Sequence, residues 1–418
     1  MLTAMNVLLI SGVLSRLMIE LQLTLGDASF LLSVGFVGMF FGALLFGRIA
    51  DIIGRKMSLI ITILIHAIFT ALCGTTHDFN LLLFYRFLAG IGLGGALPIP
   101  GVYISEYIPA KKRGLFVGLV ETAWVWGTIL SLLIPLLFIK TIDWEGVFLW
   151  GLIAVLIIPF VLWKMPESIR YLEEKGKTDE AMLILKKSGL ISEEKIEIGP
   201  VEKIKISWKE LFSKKYLKAT ILLMSLWFIL VYTYYGVFLF LPKILSEKYE
   251  LLKALVWSLI IIAAQIPGYY SAAFLLDKIG RKKVIGLYLF LAAIGSLIVG
   301  LSDFYELGAF SVFGYEIGLL LFLGFIIVSF FNLGAWSGLY TYTPELYPTE
   351  YRGTGSGVAA AMGRVAGILA PIITGYLLLG GTLLYAYVAF FLFHVMGSFM
   401  VFLMGIETKG KILEEIHE

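Results

Sequence analysis

Arg364 stands in the run YRGTGSGVAAAMGRVAGILAP (351–371), where no other charged side chain follows Arg352. If that run is a helix starting near 354, Arg364 lies about ten residues in, or roughly 15 Å along the axis. A guanidinium keeps its charge in any surroundings, and its planar fork matches a carboxylate. The position therefore suits an anion binder; permanent pairing with an acid of the same chain is the alternative. Glu121, in GLVETAWVWGT (118–128), is a second isolated ionisable group, with Trp124 and Thr128 on its helical face. A sequestered carboxyl can exchange a proton near neutral pH; a neutral Glu that staples helices is the alternative. Arg86 precedes Gly90-x-Gly92-x-Gly94 in another apolar run. Trp227, Tyr234 and Phe238 fall near one helical face with Tyr235 beside them, and Trp336 and Tyr340 share a face. Such rings stack on a flat molecule or pack among themselves. Gln265 and Asn332 are amides suited to a substrate hydroxyl or an interhelical bond. His66 and His394 read as packing. With four His in all and Cys73 as the single cysteine, no nucleophile–base set, metal cluster or internal disulfide is expected. No catalytic residue, metal or cofactor follows, and the chain is not expected to be an enzyme.

The elements holding these residues follow from composition. Hydrophobic residues make up 59% of 418, charged ones 15%, and mean hydropathy is +0.92. Soluble domains run at roughly 45–50% apolar and about 25% charged, so lipid must surround much of this chain. Nucleic-acid binding, disorder and a soluble enzyme fold are excluded. Apolar runs of helical length lie near 2–20, 28–49, 57–76, 80–103, 114–138 and 146–164, then near 217–241, 253–275, 284–302, 316–341, 354–380 and 383–405. They are numbered here as spans 1 to 12. Barrel strands would be shorter and alternate, so the fold class is an all-α membrane protein. The stretch after Met1 has no basic leader segment and is expected to remain as span 1.

Lys/Arg bias sets the orientation. With both termini cytoplasmic, 26 of the 33 Lys/Arg fall inside; Lys140, Lys243, Lys248 and Lys253 fall outside, while Arg16, Arg86 and Arg364 lie in or at the end of spans. The expected organisation is an N-terminal six-helix bundle (1–164), a cytoplasmic linker (165–216), a C-terminal bundle (217–405) and a tail (406–418). In the linker, GKTDEAMLILKKSG reads as a short amphipathic helix near the inner membrane surface.

Two patterns recur. Asp-x-x-Gly-Arg-Lys occurs at Asp51/Gly54/Arg55/Lys56 and at Asp277/Gly280/Arg281/Lys282. Glu-x-x-Pro-x-x-x-Arg-Gly runs from Glu106 to Arg113 and Gly114, and again from Glu345 to Arg352 and Gly353. Each copy sits at the equivalent inner turn of its bundle. Paired repeats of this kind let secondary transporters rock about a central site. The acids beside the basic groups imply ion pairs between the halves, a cytoplasmic gate made of Asp51, Arg55, Glu106, Arg113, Asp277, Arg281, Glu345 and Arg352.

These residues resemble the major facilitator superfamily. Gly47-x-x-x-Asp51-x-x-Gly54-Arg55-Lys56 is similar to its loop 2–3 signature, and Arg86-x-x-x-Gly90-x-Gly92-x-Gly94 to its span 4 signature. PESIRYL (166–172) and ETKGKILEE (407–415) resemble elements of the sugar-porter and organic-ion branch, with Ile169 and Ile406 where that branch has Pro. Span 7 lacks the Gln-Gln pair usual in sugar porters, and span 5 lacks the Gly-Pro-x-x-Gly-Gly of drug antiporters. FFNLGAWSGLYTYTPELYP and GLVETAWVWGT look like the group of organic-anion, organic-cation, niacin, aromatic-acid and synaptic-vesicle-type proteins. Members that move anions carry Arg at the slot of Arg364, whereas many cation carriers have an acid.

The resemblance implies a plasma-membrane carrier, a monomer in the bilayer that moves a small organic anion by alternating access with a proton as coupling ion. Arg364, Trp227, Tyr234, Gln265, Asn332 and Trp336 would bind substrate. In proton-coupled sugar porters the Arg of span 4 works with an Asp in span 1; here Asn6 falls near that slot, so Glu121 with Arg86 becomes the expected proton-coupling group. A sugar or polyol porter is the nearest alternative. A nutrient sensor that does not transport would usually carry a long cytoplasmic tail.

Overall fold

The computed structural model describes residues 1–100, 103, 110–187, 208–305, 308–312, 314–348 and 350–410. Inside a bilayer the backbone has no water to bond, so a long apolar run satisfies itself by coiling into a helix. Eleven helical segments among the described residues are long and apolar enough to cross. One of them, Thr122–Lys164, has 43 residues, roughly 65 Å against a hydrocarbon layer of about 30 Å. Asp143 breaks it, with φ 52° and ψ −170°. The Asp143 carboxylate accepts the N–H of Trp144 at 2.8 Å and two N–H groups of Arg16 at 3.1 and 2.8 Å. That segment thus supplies spans 5 and 6, and twelve crossings result.

Several boundaries differ from the sequence reading. Span 2 runs Leu25–Ile53, because the Asp51 motif stays helical up to Gly54. Span 7 is Leu217–Phe238 followed by Leu241–Lys248, with Pro242 opening the second piece. Span 8 is Leu251–Ala263 followed by Gln265–Ile279. Between spans 9 and 10, Ala309–Val312 pairs antiparallel with Tyr315–Gly318, a hairpin absent from the all-helical reading. Four-residue strands are too short to announce themselves by alternation. In the linker, Thr178–Lys187 is the expected amphipathic helix, and its Ala181 packs with Ile169 and Leu172 of the short helix before it.

Two compact units form. One holds Met1–Val7, Val34–Gly127 and Glu145–Lys205; the other holds Leu8–Ser33, Thr128–Trp144 and Ile206–Glu418. This division cuts through spans 1, 2 and 5 rather than following the sequence halves. Within the second unit the outer parts of those spans bond to the C-terminal helices. Ser15 Oγ lies 2.6 Å from Ser246 Oγ, Ser33 Oγ donates to the Ile368 carbonyl at 2.8 Å, and Thr128 Oγ1 lies 3.4 Å from the Tyr234 hydroxyl. The core of that unit joins Leu222, Leu226 and Leu230 of span 7 to Ile285, Tyr288 and Leu339.

In the first unit, spans 2 and 4 touch backbone to backbone. A β-carbon added at Gly38 would strike the Phe87 carbonyl, and one at Gly42 the Ile91 carbonyl. Lipid tails are as apolar as the helices, so close packing of small residues is what holds such pairs together. Gly38→Leu should therefore lower the melting temperature in detergent by several degrees, since overpacking costs about 1–3 kcal/mol; an unchanged melt would refute the contact.

Past span 9, Asp303 accepts Lys248 Nζ at 2.6 Å, the Leu383 amide at 2.6 Å and the Thr382 hydroxyl at 3.2 Å. Burial pushes its carboxyl up, but the Lys248 and Leu383 donors outweigh that, and it titrates below the ordinary value. A depressed native pKa gives stability that is complete above the unfolded value of about 4 and lost as pH falls through the native one. Melts recorded from about pH 6 to about pH 3 should show the wild-type advantage over Asp303→Asn shrinking with acid. A gap independent of pH would contradict this.

Candidate functional site

Span 11 brings the central cation to span 7. A β-carbon at Gly363 would lie 3.0 Å from Val231 Cγ2 and 3.2 Å from the Trp227 ring, so the next residue, Arg364, is held beside span 7. Arg364 is half-buried and within electrostatic reach of Tyr235. Among the described residues it makes no hydrogen bond or ion pair.

The aromatic residues expected on one face of span 7 form two groups. Trp227 donates its Nε1–H to Thr343 Oγ1 at 3.0 Å and meets Trp336 and Tyr340 edge-on, with centroids 5.5 and 5.3 Å apart. Trp336 and Tyr340 are themselves 5.5 Å apart. Two turns outward, Tyr234 packs on Tyr235 and Phe238 at 5.3 and 4.9 Å and reaches Thr128. A 3.6-residue period separates 227 and 234 by almost two turns, so one stripe can serve two neighbours.

Gln265 is fully buried at the break in span 8, and both its amide atoms lack a partner among the described residues. An unsatisfied buried amide is costly, which makes Gln265 receptive to a polar ligand. Asn332, read as suited to a substrate hydroxyl or an interhelical bond, makes the interhelical bond with its Nδ2, while its buried Oδ1 has no partner among the described residues. Its Nδ2 donates to Thr233 Oγ1 at 2.8 Å and lies 3.0 Å from His394 Nε2. His394, read as packing, is thus part of a polar cluster. His66 is too: Asn6 Nδ2 lies 2.9 Å from His66 Nδ1 and donates to the Gly151 carbonyl at 3.2 Å. Lone buried imidazoles carry no sequence signal for the amides that meet them.

Arg86 is wholly buried against span 2, where a β-carbon at Gly35 would lie 3.3 Å from its Nη2. Its Nε and Nη1 have no partner among the described residues. The side chains of Glu121 and Arg113, and all of Glu106, lie outside the described residues.

At the cytoplasmic turns the ion pairs of the described residues run within each half, not between halves as expected. Arg55 Nη2 lies 3.2 Å from Asp51 Oδ1. Arg281 contacts Asp277 at 3.0 Å and takes Glu345 with Nε and Nη2 at 3.2 Å each. Glu345 also accepts the Thr408 hydroxyl at 2.5 Å, and Arg352 Nε donates to the Pro344 carbonyl at 3.1 Å. The reason is local: the Asp and Arg flank the turn glycine, Asp51 and Asp277 at the end of one span and Arg55 and Arg281 at the start of the next, and Glu345 reaches Arg281 from span 10 of the same half.

Two residues without an assigned role complete these turns. Glu167 Oε1 accepts the amides of Arg55 and Lys56 at 2.9 and 3.1 Å, and Glu407 Oε1 accepts that of Arg281 at 2.8 Å. A carboxylate at a helix N-terminus fills orphan donors and meets the positive end of the dipole. Gly54 and Gly280 make room for it with φ of 96° and 100°; a β-carbon at either would strike the carboxylate. The offset from 167 to 407 nearly equals that between the two Glu-x-x-Pro copies, which is a signal the sequence already carries.

Gly280→Ala should therefore destabilise the protein in detergent by about 1–3 kcal/mol, the range for a non-glycine residue held in a sparsely populated backbone region. Gly357→Ala, with nothing within 4 Å of its β-carbon, should be neutral or slightly stabilising. Equal melting temperatures for the two variants would remove the cap.

Residues 22–418 match the family described as "Sugar (and other) transporter". The niacin transporter NiaP of Acinetobacter baylyi is 35% identical, covering 100% of this chain and 93% of that protein. The putative niacin/nicotinamide transporter NiaP of Bacillus subtilis is 34% identical over 90% of this chain and 85% of its own. A synaptic vesicle 2-related protein of Rattus norvegicus is 27% identical over 99% and 77%. Among solved structures, a D-xylose-proton symporter superposes with a TM-score of 0.77 at 19% identity, covering 98% of this chain and 96% of that one. These likenesses agree with the repeat, the spans and the capped turns: the chain belongs to the sugar (and other) transporter family and has the fold of the major facilitator superfamily.

Proposed function

We propose that this protein carries a small organic anion, a carboxylate on a flat ring, across the plasma membrane by alternating access. The observation that carries the reading is Arg364: a permanent cation inside a span, unpaired among the described residues and one residue from the glycine that packs on Trp227. A carboxylate would take the guanidinium fork. Trp227, Trp336 and Tyr340 offer aromatic faces and edges for the ring. Gln265 would accept or donate to a ring heteroatom, and Tyr234 would close the outer side of the site. The niacin transporters at 34–35% identity support a substrate of this chemistry.

Proton symport is part of the proposal, with Glu121 as carrier and the buried Arg86 as the charge that shapes its half. The cytoplasmic turns act as gates, their intra-half ion pairs and carboxylate caps stiffening the ends of the spans that must swing. A sugar or polyol is the second reading, favoured by the unpartnered Gln265 amide, which suits a hydroxyl.

Uptake into proteoliposomes separates these readings. Arg364→Ala should reduce labelled nicotinate or benzoate accumulation at least about 100-fold, since one partner of a desolvated charge pair is lost, while the protein remains monodisperse. Competition by hexose and not by carboxylate would reverse the assignment. Glu121→Gln should abolish accumulation driven by external acid and leave counterflow intact; continued concentration against the gradient would move the proton role elsewhere.

Alternating access requires the outer contacts to break. Ser15→Cys with Ser246→Cys, whose hydroxyls lie 2.6 Å apart, should form a disulfide that arrests transport by more than about ten-fold and is relieved by reductant. The natural Cys73 is buried and does not compete. Full transport in the oxidised, cross-linked protein would exclude the outer opening.

A further inference from the structure

Four buried side chains from four spans form one continuous chain of hydrogen bonds. Ser296 of span 9 donates to the Ala292 carbonyl at 3.0 Å, and its Oγ lies 3.2 Å from His394 Nδ1 of span 12. His394 Nε2 lies 3.0 Å from Asn332 Nδ2 of span 10, which also donates to Thr233 Oγ1 of span 7 at 2.8 Å. Thr233 in turn donates to the Ile229 carbonyl at 2.8 Å.

The donors order the chain. Both hydroxyl protons go to backbone carbonyls, so Ser296 and Thr233 can only accept from the side chains between them. The two amide hydrogens of Asn332 then fill Thr233 Oγ1 and His394 Nε2. That assignment puts the imidazole proton on Nδ1, where the Ser296 hydroxyl and the Phe390 carbonyl are both placed to accept it. The chain is neutral and runs in one direction. The phenols of Tyr232 and Tyr387 are the titratable groups that spans 7 and 12 add nearby, and span 11 carries Arg364, which lies within reach of Tyr235.

What this chain holds is the rotation of span 7. Thr233 points back to the scaffold, and the next two residues, about 100° apart each, lie on other faces: Tyr234 lies 3.4 Å from Thr128 Oγ1 and packs on the Tyr235 ring, which is within electrostatic reach of Arg364. Span 7 is also pressed against spans 11 and 12 there, since a β-carbon at Gly236 would lie 2.6 Å from the Phe390 ring and 2.8 Å from Thr374 Oγ1. A turn of about 10° at a side-chain radius of about 6 Å moves a phenol by about 1 Å, enough to spoil an aligned contact.

We propose that His394 and Asn332 are positioning residues: through Thr233 they fix the azimuth of span 7 and so set Tyr234 and Tyr235 against Arg364 for the bound anion. This rests on the anion-site reading above. It predicts specific consequences for nicotinate binding to the purified protein, read by Trp fluorescence. His394→Leu and Thr233→Val should each weaken binding about ten-fold, as loss of a buried hydrogen bond of this kind does. His394→Gln, whose amide oxygen can stand near Nε2, should stay within about three-fold. In a Tyr234→Phe/Tyr235→Phe background the His394→Leu penalty should fall below about two-fold, because the groups being positioned are gone. The pH profile of binding should keep its shape in all of them.

Wild-type affinity in His394→Leu, or the same ten-fold penalty without the tyrosine hydroxyls, would overturn the proposal; so would His394→Gln binding as weakly as His394→Leu. A readout without substrate is the rate of Ser15→Cys/Ser246→Cys cross-linking, which His394→Leu should slow several-fold. If the wild type binds no nicotinate but cross-linking responds, the anion site falls and the positioning role stands. If cross-linking is unaffected as well, the positioning role falls with it.

Discussion

Two guanidinium groups, those of Arg86 and Arg364, lie inside spans built almost entirely from apolar and neutral residues, and neither can shed its charge. Holding one there costs at least about 2.5–3.5 kcal/mol even on insertion scales. The two halves meet that cost differently. Arg86 is sealed over Gly35, where a β-carbon would lie 3.3 Å from its Nη2 and crowd it. Arg364 stands half-buried beside tryptophan and tyrosine rings, with its own helix drawn in by Gly363. A sealed cation shapes a fold, whereas an approachable one recruits a ligand. On the proposed reading, the Trp227 cluster and the unpartnered Gln265 amide serve the approachable one.

The inner turns show the duplication as chemistry rather than as letters. In each half a glycine with positive φ opens a helix, and a glutamate from far along the chain seats its carboxylate on the exposed amides: Glu167 for span 3, Glu407 for span 9. Lys56 Nζ donates to the Leu162 carbonyl, and Lys409 Nζ to that of Lys278. The segments after spans 6 and 12 are thereby fastened to the starts of spans 3 and 9. The same carboxylate cap thus closes the equivalent inner turn twice.

Much of this was legible in the sequence, and the limits are physical. The spans follow from length and apolarity, because lipid admits few alternatives. Arg364 was legible because it stands alone in its run. The Asp143 break was placed correctly as a boundary between spans, although its helical flanks run together. What spacing cannot convey is which helices meet. Asn332 is a mid-span amide whose Nδ2 meets His394 and Thr233, and only the packing of four helices decides those partners. The same holds for Asn6 with His66. Glu167 and Glu407 carried a readable signal in their offset, but the capping role depends on a backbone conformation that sequence does not print. At the inner turns, Arg55 and Arg281 each meet an acid of their own half among the described residues, and the Glu106 and Arg113 side chains of the expected gate lie outside them.

The bonds that join the sequence halves at the outer side are of another kind from those at the inner turns. Ser15 with Ser246, Ser33 with the Ile368 carbonyl and Thr128 with Tyr234 are all uncharged, whereas Arg281, Glu345 and Asp277 carry full charges. Neutral hydroxyl contacts are indifferent to dissolved ions, while exposed charge pairs weaken within a screening length of about 8–10 Å. Dissolved salt would thus loosen the charged inner contacts while leaving these three hydroxyl contacts as they are.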